Sequence, residues 1–312
     1  MHYFAAADSC DAISVLEAVD VVDATYRAMG EGLVEMSDPS MMRVGNTAHR
    51  LGAKGAVLNH LGIAGIRLVS RAAPRLMLWS LDTGEPLAFF DEKMMYRFRT
   101  GVSAAVVARY LLPKSRPLKR VTIIGAGPIA KQVAIAITET LSPEEILIVS
   151  RNQKSSALFA RTCRSENLPV AAAATVADAT ENADLIVTIT SANEILVRPE
   201  HVKKGAVVLS MGGGQELHPQ VWASASMRYV DDLNYALQQG DAHAWISQGE
   251  FSPATFDATL TGTIGALAAG HPALTTSNED VSIAIVQGTT ALDIALAFAV
   301  YEVRKAVVSH VI

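Results

Sequence analysis

The feature that most constrains the fold is a regular alternation of apolar runs and helical segments from about residue 120 onward. The runs VTIIG, ILIVS, LIVTIT and AVVLSM are almost entirely apolar, and segments of helical texture separate them. Strands that are apolar throughout are typical of a parallel sheet that helices cover on both faces. The pattern therefore predicts an α/β fold with a doubly wound parallel sheet.

A glycine-rich turn follows the first of these runs. In TIIGAGPIA, Gly125, Gly127 and Ala130 occupy the three small positions of the G-x-G-x-x-G/A fingerprint. The first glycine permits a tight turn, the second lets the backbone approach a pyrophosphate, and the alanine allows close helix–strand packing. A helix that begins there points free N–H groups at the phosphates. The turn predicts a Rossmann-type dinucleotide site, with contacts here and at the ends of later strands from Gly125, Ala126, Gly127, Pro128, Ile129, Thr190, Ser191, Met211 and Gly212.

The end of the second apolar run indicates which dinucleotide binds. An NAD site usually carries an Asp or Glu there, which accepts a hydrogen bond from the ribose 2′-hydroxyl. This chain has IVSRNQKSS, in which Ser150, Arg151, Asn152 and Lys154 supply donors and positive charge but no carboxylate. Because the forked donors of arginine suit a 2′-phosphate, the sequence favours NADP(H), with NAD(H) possible. The alternative is that Arg151 and Lys154 are solvated charges at a helix start.

The first third of the chain has a different texture. Residues 15–34 place apolar side chains at helical spacing, whereas 41–91 consist of short runs punctuated by Gly and Pro. The parallel sheet is expected to be complete by about residue 240, so that the closing helical segment returns to the first part of the chain. We therefore predict a Rossmann domain over 114–286 and a discontinuous α+β dimerisation and substrate domain made of 1–113 and 287–312.

Composition and charge exclude several classes of partner. The net charge is −5 and no basic stripe is present, so a nucleic-acid partner is not expected. The two cysteines, Cys10 and Cys163, lie far apart without metal-ligand spacing, which indicates a reduced, cytoplasmic protein without a bound metal. The closing helix has eight uncharged residues between Asp293 and Glu302, too few to span a membrane.

A longer stretch resembles a known family. DTGEPLAFFDEKMMYRFRTG, followed by the GAGPIA turn, resembles the ornithine cyclodeaminase/μ-crystallin family, whose members carry a T-G-x-P-L turn and an R-T-[AG] element before the fingerprint. SMGGGQELHPQV, RYVDD and ALDIALAFAVYEV are similar to later segments of the family, in the same order. The resemblance implies a homodimer formed by the discontinuous domain, with a small-molecule substrate bound between the two domains. That substrate would be an amino acid, a keto acid or a cyclic imine.

The resemblance also implies roles for two arginines. Arg43 in MMRVGN matches the family's first substrate arginine, which clamps a carboxylate with two hydrogen bonds. The alternative is a surface arginine at a strand edge. Arg99 in FRTG matches the arginine that contacts the cofactor phosphate or the substrate, and Thr100 is expected beside it at the cofactor.

Two positions depart from the family pattern. Arg67 stands where the family has a lysine that contacts the substrate carboxylate and relays protons, and Arg71 stands where a small hydroxyl residue is common. Arginine binds carboxylates but stays protonated, so Arg67 cannot act as an acid or base. Arg67, Arg71 and Arg75 near one pocket would indicate an unusually anionic substrate. Alternatively, Arg71 and Arg75 lie on the outer face of the sheet.

A third departure concerns the catalytic aspartate of the cyclodeaminases. The family places it six residues before the glutamate of a Glu-Leu pair, and counting back from Glu216 reaches Ser210. The catalytic residue therefore stays unknown. Weak candidates for the missing proton-transfer group are His49, His60, Asp231 and Asp232.

These features predict an NAD(P)H-dependent oxidoreductase that acts at the C–N bond of an amino acid or its imine. An imine or ketimine reductase and an amino-acid dehydrogenase both fit this description. Ornithine cyclisation is disfavoured because the aspartate is absent. The alternatives are an ornithine- or lysine-type cyclodeaminase, and a nucleotide-dependent binding protein of μ-crystallin type with little catalysis.

Overall fold

The computed structural model describes residues 1–7, 12–38, 40–43, 50–70, 73–271 and 277–308. The described residues form two β-sheets with helices packed against them. The first sheet contains β1 (His2–Phe4), β2 (Val34–Met36), β3 (Ser40–Arg43), β4 (Arg50–Leu58), β5 (Ile63–Ser70), β6 (Arg75–Ser80) and β7 (Pro86–Asp91). The second sheet contains β8 (Arg120–Ile124), β9 (Glu145–Val149), β10 (Val170–Ala172), β11 (Leu185–Thr188), β12 (Val207–Ser210), β13 (Met227–Val230), β14 (Gly262–Thr263) and β15 (Ser282–Ile285).

The helices alternate with the strands of the second sheet and flank those of the first. They are α1 (Val15–Gly30), α2 (Lys93–Leu111), α3 (Pro128–Leu141), α4 (Gln153–Ser165), α5 (Val176–Thr180), α6 (Pro219–Ser224), α7 (Leu233–Ala236), α8 (Gly240–Ser247), α9 (Pro253–Asp257), α10 (Ile264–Ala268) and α11 (Thr290–Val308). Two 3-10 helices cover Asn59–Leu61 and Pro199–His201.

The second sheet is parallel at every pairing and follows the order β10-β9-β8-β11-β12-β15-β13-β14. Strand order reverses between β8 and β11, and the carboxyl ends of these two strands form the crevice where such sheets bind ligands. The predicted α/β fold with a doubly wound parallel sheet is confirmed. The expectation that this sheet is complete by about residue 240 is wrong, because β15 inserts between β12 and β13.

The first sheet is antiparallel except for β1, which pairs in parallel with β7 at its edge. Helix α11 returns to contact β4 and β5 as well as α1. At the contact, a Cβ added to Gly65 would lie 2.8 Å from Cγ1 of Ile294, so the sheet and helix meet too closely for a larger residue. The assignment of 1–113 and 287–312 to one domain stays a prediction.

Helix α2 connects the two sheets and contacts α1, α3 and α11. Residues Val102–Ala108 are buried at every position, because neighbours surround this part of the helix. A Cβ added to Gly101 would lie 2.4 Å from the carbonyl carbon of Gln132 in α3. The glycine of FRTG therefore sets how closely α2 approaches the helix that follows the nucleotide turn.

Membrane-spanning helices and clusters with the geometry of a metal site are both absent from the described residues. None of the helices has both the length and the apolar character that a membrane span requires. No cluster of three or more His, Cys, Asp or Glu side chains with the geometry of a metal site was found in the same part of the chain.

Candidate active site

The first glycine of the fingerprint lies in a turn that excludes side chains. Gly125 has a φ of +123°, and an added Cβ would lie 2.5 Å from the carbonyl oxygen of Ile189. Its N–H donates to the carbonyl oxygen of Val149 at 2.8 Å, which ties the turn to the end of β9. Both the backbone angle and the space therefore require glycine here.

The second glycine opens helix α3. Gly127 is the N-cap of that helix, but no side chain caps it, and Pro128 occupies the first turn. An added Cβ at Gly127 would meet nothing within 4 Å, so the turn faces open space. Ala130 is fully buried. An uncapped helix start behind a glycine turn leaves N–H donors free for an anion, so these residues fit the pyrophosphate of a dinucleotide.

A cavity of about 440 Å³ lies against this turn. It brings together seven predicted cofactor residues, namely Gly125, Ala126, Gly127, Ser150, Arg151, Thr190 and Ser191. Asn152 lies nearby, where its side chain caps α4 by accepting from the backbone N–H of Lys154 at 2.9 Å. Glu194, which the sequence reasoning did not consider, also lines the cavity.

Met211 and Gly212 follow the end of β12. The added Cβ of Gly212 would lie 2.1 Å from Oε2 of Glu216, so this glycine makes room for a buried carboxylate. Oε1 of Glu216 accepts hydrogen bonds from the backbone N–H of Thr190 at 2.9 Å and from its hydroxyl at 2.5 Å. Glu216 thereby fixes Thr190 at the edge of the nucleotide cavity.

A second cavity of about 420 Å³ lies between the first sheet and the carboxyl edge of the second. Ile129, which directly follows the nucleotide turn, lines one side of it. The first sheet and α2 supply the opposite side. Its polar and charged lining residues are Lys54, Arg67, Ser70, Lys93, Tyr96, Arg97, Tyr235, Gln239 and Gln287.

Arg67 reaches this cavity from β5, and two buried carboxylates pair with its guanidinium. Its Nε donates to Oε1 of Glu92 at 2.5 Å, and its Nη1 lies 3.6 Å from Oδ2 of Asp293. Its guanidinium carbon lies 4.4 Å from the ring centroid of Tyr96. Burial raises the pKa of Glu92 to about 7, although the charge of Arg67 opposes this shift. One predicted substrate arginine therefore lines the cavity with its charge partly balanced.

Lys54 is a candidate functional residue that the sequence reasoning missed. It lies on β4 directly opposite Arg67, and only 4% of it is exposed. Its Nζ is 3.4 Å from the carbonyl oxygen of Gly288 and 4.3 Å from the ring centroid of Tyr235. None of the ion pairs among the described residues involves Lys54. Burial lowers the pKa of Lys54 to about 8.

Arg99 lines neither of the two cavities. It is 2% exposed, and its Nε donates to Oδ1 of Asp293 at 2.6 Å. Burial alone would raise the pKa of Asp293, but the charges of Arg99, Arg67 and Lys54 hold it below its ordinary value. Thr100 donates to the carbonyl oxygen of Tyr96 at 2.8 Å.

Of the other arginines considered as substrate residues, the structure describes the side chain of Arg75 but not those of Arg43 and Arg71. The backbone of Arg43 belongs to β3, but its side chain lies outside the described part of the structure, as does Arg71. Arg75 pairs with Leu68, on the face of the sheet opposite to Arg67, and its Nη1 lies 3.4 Å from Asp91. For Arg75 the outer-face alternative is therefore the correct one.

Ser210, at the position of the family's aspartate, is buried and donates to Oδ2 of Asp241 at 2.6 Å. Oδ1 of Asp241 accepts from the backbone N–H groups of Glu216 at 2.7 Å and Leu217 at 2.8 Å. Burial raises the pKa of Asp241 to about 7. This carboxylate holds the turn after β12, and its hydrogen bonds are satisfied inside the protein.

The weak proton-transfer candidates have structural partners or lie elsewhere. Asp231 accepts from the backbone N–H groups of Gly288 at 2.6 Å and Gln287 at 3.1 Å. Asp232 caps α7. His60 is exposed in the 3-10 helix after β4, and His49 lies outside the described residues.

The parallel sheet, the glycine turn at its switch point and the adjoining cationic cavity are typical of a dinucleotide-binding protein. The chain belongs to the Ornithine cyclodeaminase/mu-crystallin family, which it matches over residues 13–307. The family prediction is confirmed.

Individual relatives agree with this family and fold. The chain is 27% identical to an alanine dehydrogenase from Archaeoglobus fulgidus over 93% of this chain and 91% of that protein. It is 30% identical to a Delta(1)-pyrroline-2-carboxylate reductase from Bacillus cereus, over 73% of this chain and 70% of that protein. A Thermococcus litoralis Delta(1)-pyrroline-2-carboxylate reductase, solved with NADH and L-proline, has the same fold with a TM-score of 0.89 at 20% identity, covering 98% of both chains.

Proposed function

We propose that this protein is an NAD(P)H-dependent oxidoreductase that acts at the C–N bond of an amino acid or its imine. The observation that carries the proposal is the cationic cavity that adjoins the nucleotide turn at Ile129. Relatives named alanine dehydrogenase and pyrroline-2-carboxylate reductase support the same reaction class. When bound, the nicotinamide would supply or accept the two electrons and hydrogen exchanged at the α-carbon.

The chain's own residues would bind and orient the substrate. Arg67 presents a guanidinium that Glu92 and Tyr96 hold in place, which suits a fixed hydrogen bond to a carboxylate. The side chain of Gln287 donates to the carbonyl oxygen of Gly212 at 3.0 Å, which links this cavity to the turn after β12. The apolar side chain of Ile129, which follows the nucleotide turn in the chain, lines the cavity.

The charge of the cavity favours an anionic substrate. Lys54, Arg67, Lys93 and Arg97 line it, and its described lining contains no carboxylate. Among the described residues, Lys93 and Arg97 take part in no ion pair with an acidic side chain, unlike Arg67. Unbalanced cations at a cavity favour ligands of opposite charge. We propose that the substrate carries a second anionic group besides its α-carboxylate.

Absorbance of the nicotinamide band tests the reaction class and the charge preference together. The panel contains cyclic imino acids and α-keto acids with ammonia or methylamine, including keto acids of equal length that end in a methyl or a carboxylate. We expect turnover, with kcat/KM at least about 10-fold higher for the carboxylate member of each pair, a difference of about 1.4 kcal/mol. Absence of turnover with both nucleotides would refute the reaction class, and preference for the methyl member would refute only the anionic substrate.

We further propose a preference for NADP(H). Arg151 lines the nucleotide cavity beyond the end of β9, and that strand end carries no acidic residue. Replacing Arg151 with Ala should raise the KM for NADPH about 10-fold or more and leave the KM for NADH nearly unchanged, because one charge-assisted pair is lost. Arg161→Ala is the matched control, since this exposed arginine of α4 lies outside the cavity lining. Equal KM changes for both nucleotides would contradict the proposal. A wild-type preference for NADH would also contradict it and would indicate that Glu194 accepts from the ribose hydroxyl.

We also propose a homodimer formed through the outer face of the first sheet. On β5, Ile66 is 45% exposed and Leu68 is 40% exposed. Ala53 and Gly55 stand opposite them on β4. An apolar sheet face of this kind marks a protein contact. The proposed occupant is a second copy of the chain, because a twofold dimer brings the same patch of both subunits together.

A further inference from the structure

Imine reduction needs a proton donor, and the cavity offers few groups that can supply one. The guanidinium of an arginine such as Arg67 is too weak an acid to serve as the proton donor. Burial raises the pKa of Tyr235 above its ordinary value, so its hydroxyl holds its proton still more firmly. Lys93 is exposed at the rim. Lys54 is the buried lining residue whose charged form is disfavoured by its surroundings.

The position of Lys54 suits the transfer of a proton. It stands opposite Arg67 across the β4–β5 pair, so the two side chains lie on the same face of the sheet. The same face carries Ala56 and Leu58 into the core, which fixes the inward direction of the lysine stem. The ammonium of Lys54 donates one of its three N–H groups to the carbonyl oxygen of Gly288, which leaves two for a ligand in the cavity.

We propose that Lys54 gives the proton that the substrate nitrogen takes up when the C=N bond is reduced, while Arg67 serves to bind the carboxylate. The proposal rests on the proposed function. Arg67 cannot relay protons as a lysine at that position would. Lys54, on the neighbouring strand, would supply this function. Lys54 is thus a further catalytic residue of the reaction.

Bonds and electrons balance in this step. The π electrons of the C=N bond move onto nitrogen, and the carbon takes a hydride that the reduced nicotinamide would supply when bound, becoming oxidised. The lone pair that develops on nitrogen takes a proton from the ammonium of Lys54, which becomes a neutral amine. A proton from water then restores the ammonium.

Several charges around Lys54 set its titration. Asp293 and Glu92 favour its charged form, whereas Arg67 and Arg99 oppose it. Tyr235 packs against Nζ, and Asp38 and Asp232 line a small cavity on its other side. Because the donor must be protonated, kcat/KM for reduction should be level below about pH 8 and fall about tenfold per pH unit above it.

The test compares Lys54→Arg and Lys54→Met with Lys114→Met, which replaces an exposed lysine away from the cavity. We expect both Lys54 variants to lose about 100-fold or more in kcat. The decline in kcat/KM above about pH 8, which is the alkaline limb of the profile, should disappear in Lys54→Arg. Nucleotide affinity, measured by fluorescence, should stay within about 3-fold in all variants, as expected when only the proton-transfer step is lost.

A second readout does not depend on turnover. In protein labelled with ¹³C at the lysine ε-carbon, one resonance should titrate near pH 8 and be missing from Lys54→Arg. If the wild-type enzyme turns over and Lys54→Arg keeps its rate and its alkaline limb, the role of Lys54 is refuted while the proposed function stands. Loss of that limb in Glu92→Gln instead would also refute it and identify Glu92 as the titrating group.

Discussion

At the scale of single residues, one buried cluster contains five charged groups, namely Lys54, Arg67, Glu92, Arg99 and Asp293. Burial lowers the pKa of Lys54 to about 8 and raises the pKa of Glu92 to about 7. Arg67 and Arg99 stay charged, and Asp293 lies between them. Neighbouring groups whose pKa values are shifted in opposite directions are typical of catalytic sites, although structural ion pairs also produce them.

The pH dependence of unfolding checks the shift of Lys54 directly. Because its folded pKa of about 8 lies below the ordinary 10.5, the unfolded chain binds more protons between these values, and stability rises with pH across that window. Relative to Lys54→Met, the wild-type free energy of unfolding should increase by up to about 3 kcal/mol from pH 8 to 10.5. Urea denaturation at several pH values measures this difference.

The outcome separates a buried lysine from an exposed one. Lys114→Met should show no such difference from the wild type, because that side chain is exposed in the folded protein. A constant difference between the wild type and Lys54→Met across the window would show that Lys54 titrates like an exposed lysine.

The sequence could predict the nucleotide turn residue by residue, but it could not predict that Lys54 and Arg67 lie side by side. Gly125 and Gly127 belong to a local motif whose geometry is carried by six consecutive positions. Lys54 could have been noticed because it shares strand parity with Ala56 and Leu58. Its position beside Arg67 depends on the register of two strands, however, and the sequence does not show that register.

At the scale of secondary-structure elements, the strand–turn–helix units were the predictable part. VTIIG and ILIVS were predicted as strands, and the structure has β8 and β9 at these places. Strand β15 was missed because its neighbours in the sheet, β12 and β13, both come earlier in the chain. A pattern of apolar residues indicates that a strand forms, but the order of strands depends on how the layers pack.

The contact between α2 and α3 leads to a prediction for Gly101. In Gly101→Ala, the new methyl would lie 2.4 Å from the carbonyl carbon of Gln132, and backbone atoms cannot move aside cheaply. The usual helix preference for Ala over Gly, about 1 kcal/mol, should be outweighed. We expect a net loss of about 1–3 kcal/mol in the free energy of unfolding, measured by chemical denaturation, together with weaker nucleotide binding.

Gly213→Ala is the control for this prediction, because an added Cβ there meets nothing within 4 Å. We expect its stability to stay within about 0.5 kcal/mol of the wild type. Equal stability of Gly101→Ala and the wild type would show that α2 and α3 can separate without cost.

At the scale of the whole molecule, the two sheets contribute different parts of the candidate site. The second sheet supplies the nucleotide turn, and the first supplies Lys54 and Arg67. Helix α11 supplies Asp293, which holds Arg67 and Arg99 from behind. Because α11 also packs against β4 and β5, the far end of the chain helps to set the position of the strands that line the cavity.

The outer face of β5 provides the last prediction, which concerns assembly. The inner face of this strand carries Gly65 against Ile294 and leads Arg67 into the cavity, whereas the outer face leaves Ile66 and Leu68 exposed. We expect the wild type to elute as a dimer in size-exclusion chromatography with light scattering. Ile66→Lys should be monomeric at micromolar concentration, because a charge is placed where apolar surface must be buried.

Leu158→Lys is the matched control, since Leu158 is 55% exposed on α4, which packs against β9 and β10 of the second sheet. It should leave the dimer intact, and circular dichroism should show that both variants are folded. A wild-type monomer, or a dimer that survives Ile66→Lys, would exclude this face as the interface. Since Arg67 follows Ile66 on the same strand, loss of the dimer should also raise the KM for the anionic substrate, because the strand that positions the guanidinium would lose its support on one side.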